Sequence, residues 1–279
     1  MKLATFLLDG AMRVGVVDGA VIRVLNEDMD MIDAMYLYME GIELKAERSV
    51  SASAVELLSP IPNPPQDVIC LGLNYREHAI ESAKFSNKTF VEAEKAVYFS
   101  KRVNEAVAPD GDIQGHFDMT RQLDYEAELA FIIGRDAKDV KACDAGEYIF
   151  GFTVLNDVSA REIQSERRQW YFGKSLDGFT PMGPYIVTAD ELGVDPHLAI
   201  RSFVNGEIRQ DGNTRDLIHT PSEIIEDLSR GMTLLAGTII STGTPKGVGM
   251  GMTPPTFLNK GDVVVCEIEK IGRLENTVV

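Results

Sequence analysis

The run "SPIPNPP", Ser59 to Pro65, places four prolines in seven residues. Proline lacks an amide donor and fixes φ, so this run forms neither helix nor central strand. It predicts a division of the chain into residues 1–60 and residues 66–279. Before it, "ATFLL-DG-AMRVGVV-DG-AVIRVL" gives three apolar runs separated by two Asp–Gly pairs, a hairpin signal. "DMDMIDAMYLYMEG" follows with Met31, Met35 and Met39 at spacing four and Ile32 and Tyr36 beside them, which predicts a helix. Its methionine stripe packs on the strands or meets a partner; the packing reading is the simpler. A second short helix is expected over "SASAVELL".

Beyond the prolines the apolar runs are strand-like: "DVICLGL", "AVYFSK", "YEAELAFIIG", "YIFGFTVLND", "GPYIVT", "LAIRSFV", "EIRQ", "TLLAGTIIST" and "DVVVCEIEKIG". Helical patterns are confined to "NYREHAIESAKF" and "TPSEIIEDLSRG", the second capped by Thr220, Pro221 and Glu223 and stopped by Gly231. Strands seldom separated by helices exclude a doubly wound parallel sheet. The expected class is α+β, predominantly β, with a small N-terminal α+β domain.

Net charge is −16 and the pI about 4.7, which argues against a nucleic-acid partner. No stretch approaches the ~20 apolar residues of a membrane span, and the N-terminal apolar run is too short for a signal sequence. Cys70, Cys143 and Cys266 are odd in number, far apart and in apolar company. Free, buried thiols in a reducing cytoplasm are expected.

"LDYEAEL" alternates Asp124, Glu126 and Glu128 with Leu123, Tyr125, Ala127 and Leu129. On a strand the acids share one face, about 7 Å apart. That face continues as Ala130 and Ile132, into apolar surroundings, and "LNDVSARE" can bring Asp157 beside it from a neighbouring strand. Clustered carboxylates in partly buried space need a cation, and an all-oxygen set suits Mg²⁺ or Mn²⁺, or Ca²⁺ in a roomier site. A solvated strand face is the plain alternative. His78 and Glu81 at spacing i,i+3 touch on a helix, as a general base with its orienting carboxylate or as a surface pair. Arg161, Gln164, Arg167, Arg168 and Lys174 follow Asp157, as a carboxylate site or a solvated helix. Lys174 is expected on a loop facing a pocket, where a nearby divalent cation would lower its pKa. "STGTPKGVGMGMTPP" is a glycine loop whose bare amides can approach an anionic ligand, or a simple turn. It is neither a dinucleotide fingerprint nor a P-loop, and no G-x-S-x-G elbow exists.

Five ordered runs, "VICLGLNYREHAIES", "LDYEAELAFIIGR", "GFTVLNDVSAREIQ", "GKSLDGFTPMGPYIV" and "GTIISTGTPKGVGMG", resemble the fumarylacetoacetate hydrolase family from about Val68 to the C-terminus. The resemblance implies a mixed β-sandwich or roll, usually in a homodimer. It implies a divalent metal on Glu126, Glu128 and Asp157, with Asp124 in the motif but not a ligand. It also implies a lid dyad of His78 and Glu81, Lys174 at the reacting centre, and Arg161, Gln164 and Thr244 on the substrate side. One segment departs from the pattern. "SAKFSNKTFVEAE" is more polar than the family's short proline-containing link, which bears on lid length and substrate size.

The expected reaction is metal-dependent hydrolysis of a carbon–carbon bond in a small 2,4-dioxo acid of the acylpyruvate type, through an enolate. Oxaloacetate decarboxylation and keto–enol tautomerisation of a 2-oxo acid use the same parts. A metal-stabilised binding protein without turnover is the alternative of another class.

Overall fold

The computed structural model describes residues 1–91 and 95–279. The fold is α+β and predominantly β. Its large sheet has 11 strands. From one edge run Ala46–Ser51, Val21–Leu25, Ala11–Asp18, Lys2–Leu8, Met182–Thr188, Ile149–Asn156, Ala127–Ile133, Ile239–Ser241, Val68–Gly72 and Val97–Lys101, with Glu56–Leu57 also on Lys2–Leu8. A five-stranded sheet orders Glu207–Asn213, Ala199–Val204, Val263–Ile268, Gly272–Val278 and Asp112–Ile113. Pairing is antiparallel except between Ile239–Ser241 and Val68–Gly72, and between Gly272–Val278 and Asp112–Ile113.

The N-terminal hairpins form as expected. Asp9 and Gly10 at the first turn take positive φ, as a tight right-twisted hairpin requires. The predicted helix is Met31–Met39, capped by a reciprocal Asp30–Asp33 box. Met31 and Met35 are buried in the core, whereas Tyr36, on the outer face, is exposed. The second N-terminal helix is not present. "SASAVELL" forms a short 3-10 turn, Ala52–Ala54, and a strand, Glu56–Leu57, that pairs with Lys2–Leu8.

Residues 1–60 share both a sheet and a core with the remainder. Lys2 pairs with Val187 and Leu3 with Ile186. Leu3, Val14, Met31 and Met35 pack with Ala130, Ile132, Leu155, Met182 and Ile186. The opposite face of Ala127–Ile133, carrying Leu129, Phe131 and Ile133, packs with Phe152, Ile200, Cys266, Ile268 and Leu274. This strand is therefore buried on both sides, in the manner of a sheet covered on two faces. Full burial of a side chain such as Phe131 is worth about 1.5–3 kcal/mol.

Two long apolar runs are interrupted. The strand expected from "LDYEAEL" into "AFIIG" is not continuous: Leu123–Asp124 pairs with Ser159–Ala160, and the main strand begins at Ala127. From "TLLAGTIIST" only Ile239–Ser241 joins the sheet. Cys70 and Cys266 are buried free thiols, but Cys143 is exposed, because it lies in a 3-10 turn at the surface.

Candidate active site

Four elements bring the site together. The strand entering at Ala127 carries Glu126 and Glu128 to one face. Its neighbour Ile149–Asn156 ends at Asp157, whose amide donates to Glu126 O at 2.9 Å. The short helices Arg161–Glu166 and Tyr171–Lys174 supply cations. Oxygens of Glu126, Glu128 and Asp157 lie within 4.8 Å of one another, and all three residues are buried.

Lys174 Nζ bridges Glu126 Oε2 and Asp157 Oδ2, each at 2.7 Å. Arg161 Nη2 reaches Glu126 Oε1 at 2.6 Å, and its Nε donates to Asp124 Oδ2 at 2.9 Å. Lys101, fully buried at the end of Val97–Lys101, donates to Asp157 Oδ1 at 2.5 Å and to Val158 O at 3.1 Å. Glu128 differs from its neighbours. Its Oε2 accepts from neutral donors, Ser241 Oγ at 2.5 Å and Gly243 N at 2.9 Å.

The electrostatics divide the carboxylates. Burial favours the neutral form of Glu126, but the Arg161 and Lys174 charges outweigh it and hold its carboxyl well below the usual range. Burial, then the charges of Asp157 and Glu126, push Glu128 well above its ordinary value. Burial opposes the charge of Lys174, yet Asp157 and Glu126 outweigh it and raise its pKa. Arg161 is raised in the same way, with burial overcome by Glu126 and Asp124. Glu128 thus marks negative charge that the described cations leave uncompensated. A divalent cation fits this set: the donors are all oxygen, and a carboxylate oxygen bonded to a lysine keeps a second lone pair.

The helix Arg76–Phe85 covers the cluster. His78 is 5% exposed. Its Nδ1 lies 3.7 Å from Glu81 Oε2, too far for a hydrogen bond, and has no hydrogen-bond partner among the described residues. Glu81 instead accepts from Gly247 N, at 3.1 Å to either oxygen. A cleft of about 880 Å³ opens outward from Arg161, Gln164 and Trp170, past Phe85, Lys88 and His219. A small inner recess joins it to His78, Glu126, Glu128, Lys174 and Thr244.

Every residue singled out in the sequence for the site thus lies in one region, with three differences. Lys174 is not on an open loop. It ends a short helix and is buried, and without a cation its pKa is raised because carboxylates face it. The Thr244 hydroxyl is already committed, donating to Ala127 O at 2.8 Å and accepting from Gln210 Nε2 at 2.7 Å. The glycine-loop amides meet the protein's own carboxylates: Gly243 meets Glu128, Gly247 meets Glu81, and Gly249 and Met250 meet Asp124. Arg167 and Arg168 line the outer cleft, exposed, with Arg167 stacked on Phe172. The polar link after the helix Arg76–Phe85 is described only in part, since residues 92–94 lie outside the described residues. Sequence reasoning missed Lys101, Ser241 and Gln210. A lysine ending an apolar strand, as in "AVYFSK", was the available signal for the first. Gln210 sits in a run that reads only as strand, and Ser241 stands where a strand passes into the glycine loop.

Comparison with known proteins agrees with this fold. Residues 67–279 match the family described as fumarylacetoacetate (FAA) hydrolase C-terminal, and residues 1–60 match the one described as Rv2993c-like, N-terminal. Oxaloacetate tautomerase YisK of Bacillus subtilis is 44% identical over 228 residues, 82% of this chain and 74% of the relative. Among solved structures, fumarylacetoacetate hydrolase (EaFAH) from psychrophilic Exiguobacterium antarcticum superposes with a TM-score of 0.88 at 40% identity, covering 100% of this chain and 99% of that one. A 5-carboxymethyl-2-hydroxymuconate delta-isomerase from Mycobacterium smegmatis gives 0.80 at 34%, with the same coverages. From its ordered motifs, its fold and these relatives, the chain belongs to the fumarylacetoacetate hydrolase family.

Proposed function

We propose that this chain is a divalent-metal-dependent enzyme of keto–enol chemistry on small 2-oxo acids, with tautomerisation of oxaloacetate as its leading reaction. The observation that carries the proposal is the buried Glu126–Glu128–Asp157 cluster, flanked by Lys174 and His78 and open to a cleft at Arg161 and Gln164. The name of the 44% identical relative, oxaloacetate tautomerase, supports the choice of reaction.

Glu126, Glu128 and Asp157 would hold Mg²⁺ or Mn²⁺, which supplies positive charge against an enolate oxygen. Arg161 and Gln164 bind the substrate carboxylate from the cleft side, and the Thr244 loop closes the inner wall. His78 takes a proton from C3 of the keto form, and Lys174 gives one to the C2 oxygen. The reverse transfers run the reaction from enol to keto. Glu81 turns from Gly247 to His78 Nδ1 and stabilises the imidazolium that forms. The lid helix excludes water from the charged recess. Every residue with a role lies beyond the proline run, so we divide the chain functionally at residues 1–60 and 66–279. A homodimer is the proposed assembly, and a sizing measurement tests it.

Hydrolysis of a 2,4-dioxo acid is the second reading. Two observations favour it: the likeness to EaFAH, a structure named as a hydrolase, and a cleft larger than a four-carbon acid needs. There His78 takes its proton from water, which attacks the 4-carbonyl, and pyruvate enolate leaves. Oxaloacetate decarboxylation leaves the same enolate. The test follows enol-oxaloacetate absorbance, pyruvate release from acylpyruvates, and pyruvate release from oxaloacetate, each with Mn²⁺ and with chelator. Metal-dependent decay of the enol signal without pyruvate supports tautomerisation, and pyruvate from acylpyruvates supports hydrolysis. Metal-dependent heat stability with no turnover in any assay would point to a binding protein.

A further inference from the structure

Asp124 belongs to the acid-rich strand but not to the proposed ligand set. It is fully buried, and its carboxylate is saturated with donors. Oδ1 accepts from Gly249 N at 2.7 Å and from Tyr125 N at 3.0 Å. Oδ2 accepts from Met250 N at 3.0 Å and from Arg161 Nε at 2.9 Å. The partners lie on two walls of the pocket. Arg161 turns its other edge to Glu126 and to Gln164 Oε1, the latter at 3.1 Å. Met250 lines both the inner recess and the outer cleft.

We propose that Asp124 is a positioning residue that sets both walls at once, aiming the Nη edge of Arg161 into the pocket and seating the Gly249–Met250 turn against it. This rests on the proposed assignment of Arg161 to substrate and Glu126 to cation. Two physical consequences follow. Arg161 stands between two carboxylates, so the Asp124 charge offsets part of its positive potential. Without that charge the potential beside Glu126 becomes more positive, and a cation is held there less strongly. The chemistry at Asp124 also needs an acceptor on both oxygens. An asparagine turns one of them into a donor, so either Gly249 N and Tyr125 N, or Met250 N and Arg161 Nε, lose their acceptor.

Gly249 shows how tightly the second wall is built. A Cβ there would stand 2.7 Å from Asp124 Oδ1 and would collide with the backbone oxygen of Thr256. Gly249→Ala therefore pushes the turn away from Asp124 while leaving every charge in place.

The test compares full-length wild type, Asp124→Asn and Gly249→Ala. Each is checked for fold by circular dichroism. Mn²⁺ binding to the metal-free protein is measured by calorimetry, and KM and kcat are measured with oxaloacetate. For Asp124→Asn, KM rises about tenfold with kcat changed far less, and Mn²⁺ binds several-fold more weakly. For Gly249→Ala, KM rises while Mn²⁺ affinity stays at the wild-type value. A folded Asp124→Asn with wild-type KM and Mn²⁺ affinity overturns the proposal, as does a loss confined to kcat. If Asp124→Asn does not fold, Gly249→Ala decides, and a wild-type KM there overturns it. The Mn²⁺ measurement stands without turnover. Failure of the functional reading is seen separately, as Mn²⁺ binding that survives Glu126→Gln.

Discussion

At the scale of residues, the centre of the molecule is a charge cluster that is nearly but not fully balanced. Asp124, Glu126, Glu128 and Asp157 face Lys101, Arg161 and Lys174, all buried. Removing one member of such a set leaves a buried charge uncompensated. Lys101→Met is expected to destabilise the protein by about 3 kcal/mol, read from the denaturant midpoint, although Lys101 touches no proposed substrate position. The pH dependence has a sign that follows from Glu128. Its folded pKa is raised, so its contribution favours the folded metal-free protein below about pH 4.5 and is lost as pH rises through the folded value. Glu126, held low, contributes the opposite way: its stabilisation is present above about pH 4.5 and is lost as pH falls. The rise in melting temperature produced by Mn²⁺ should therefore grow with pH, because ionising Glu128 both strains the metal-free form and frees a ligand. A Mn²⁺ shift that shrinks between pH 5 and pH 8 would contradict this.

At the scale of elements, the helix Arg76–Phe85 and the glycine loop are joined by a carboxylate that accepts a backbone amide. Glu81 reaches from the helix Arg76–Phe85 to Gly247, and the exposed Lys246–Glu77 pair, 2.6 Å apart, lies beside it. Glu81→Gln keeps a carbonyl oxygen for Gly247 but loses the charge proposed to stabilise the His78 imidazolium. Its melting temperature should stay near wild type while kcat falls about 100-fold. A parallel loss of both would mean that Glu81 serves the loop alone. Elements are also where the limits of sequence reading show. The hairpin at Asp9–Gly10 and the helix capped by Thr220 were legible, because turn and cap chemistry is local. The edge strand Ala46–Ser51 and the last strand Gly272–Val278 were not, since "AERSVS" and "GRLENTV" are polar and are held by pairing with distant partners. The acidic strand was legible as a cluster because a buried charge pattern needs a partner. Which acid would serve the glycine loop was not, because that depends on where residues 247–250 return in space.

At the scale of the whole molecule, the N-terminal unit extends the sheet that carries the site. Deleting residues 1–60 would uncover the edge of Met182–Thr188 and the apolar face around Ile186 and Met182. The truncated protein is expected to aggregate, seen as a loss of soluble yield and a high-mass peak in sizing. A soluble, fully active truncation would mean that the shared core is dispensable. No helix among the described residues is long and apolar enough to cross a membrane. The proposed chemistry stands on a divalent cation held by Glu126, Glu128 and Asp157. Its most direct measurement is the decay of enol-oxaloacetate absorbance by chelator-treated protein, before and after stoichiometric Mn²⁺, for wild type and for Glu126→Ala with Asp157→Ala. The expected result is the uncatalysed rate under chelator, full recovery of wild type with Mn²⁺, and no recovery of the double variant. Full turnover by chelated wild type, or by the double variant, would contradict it.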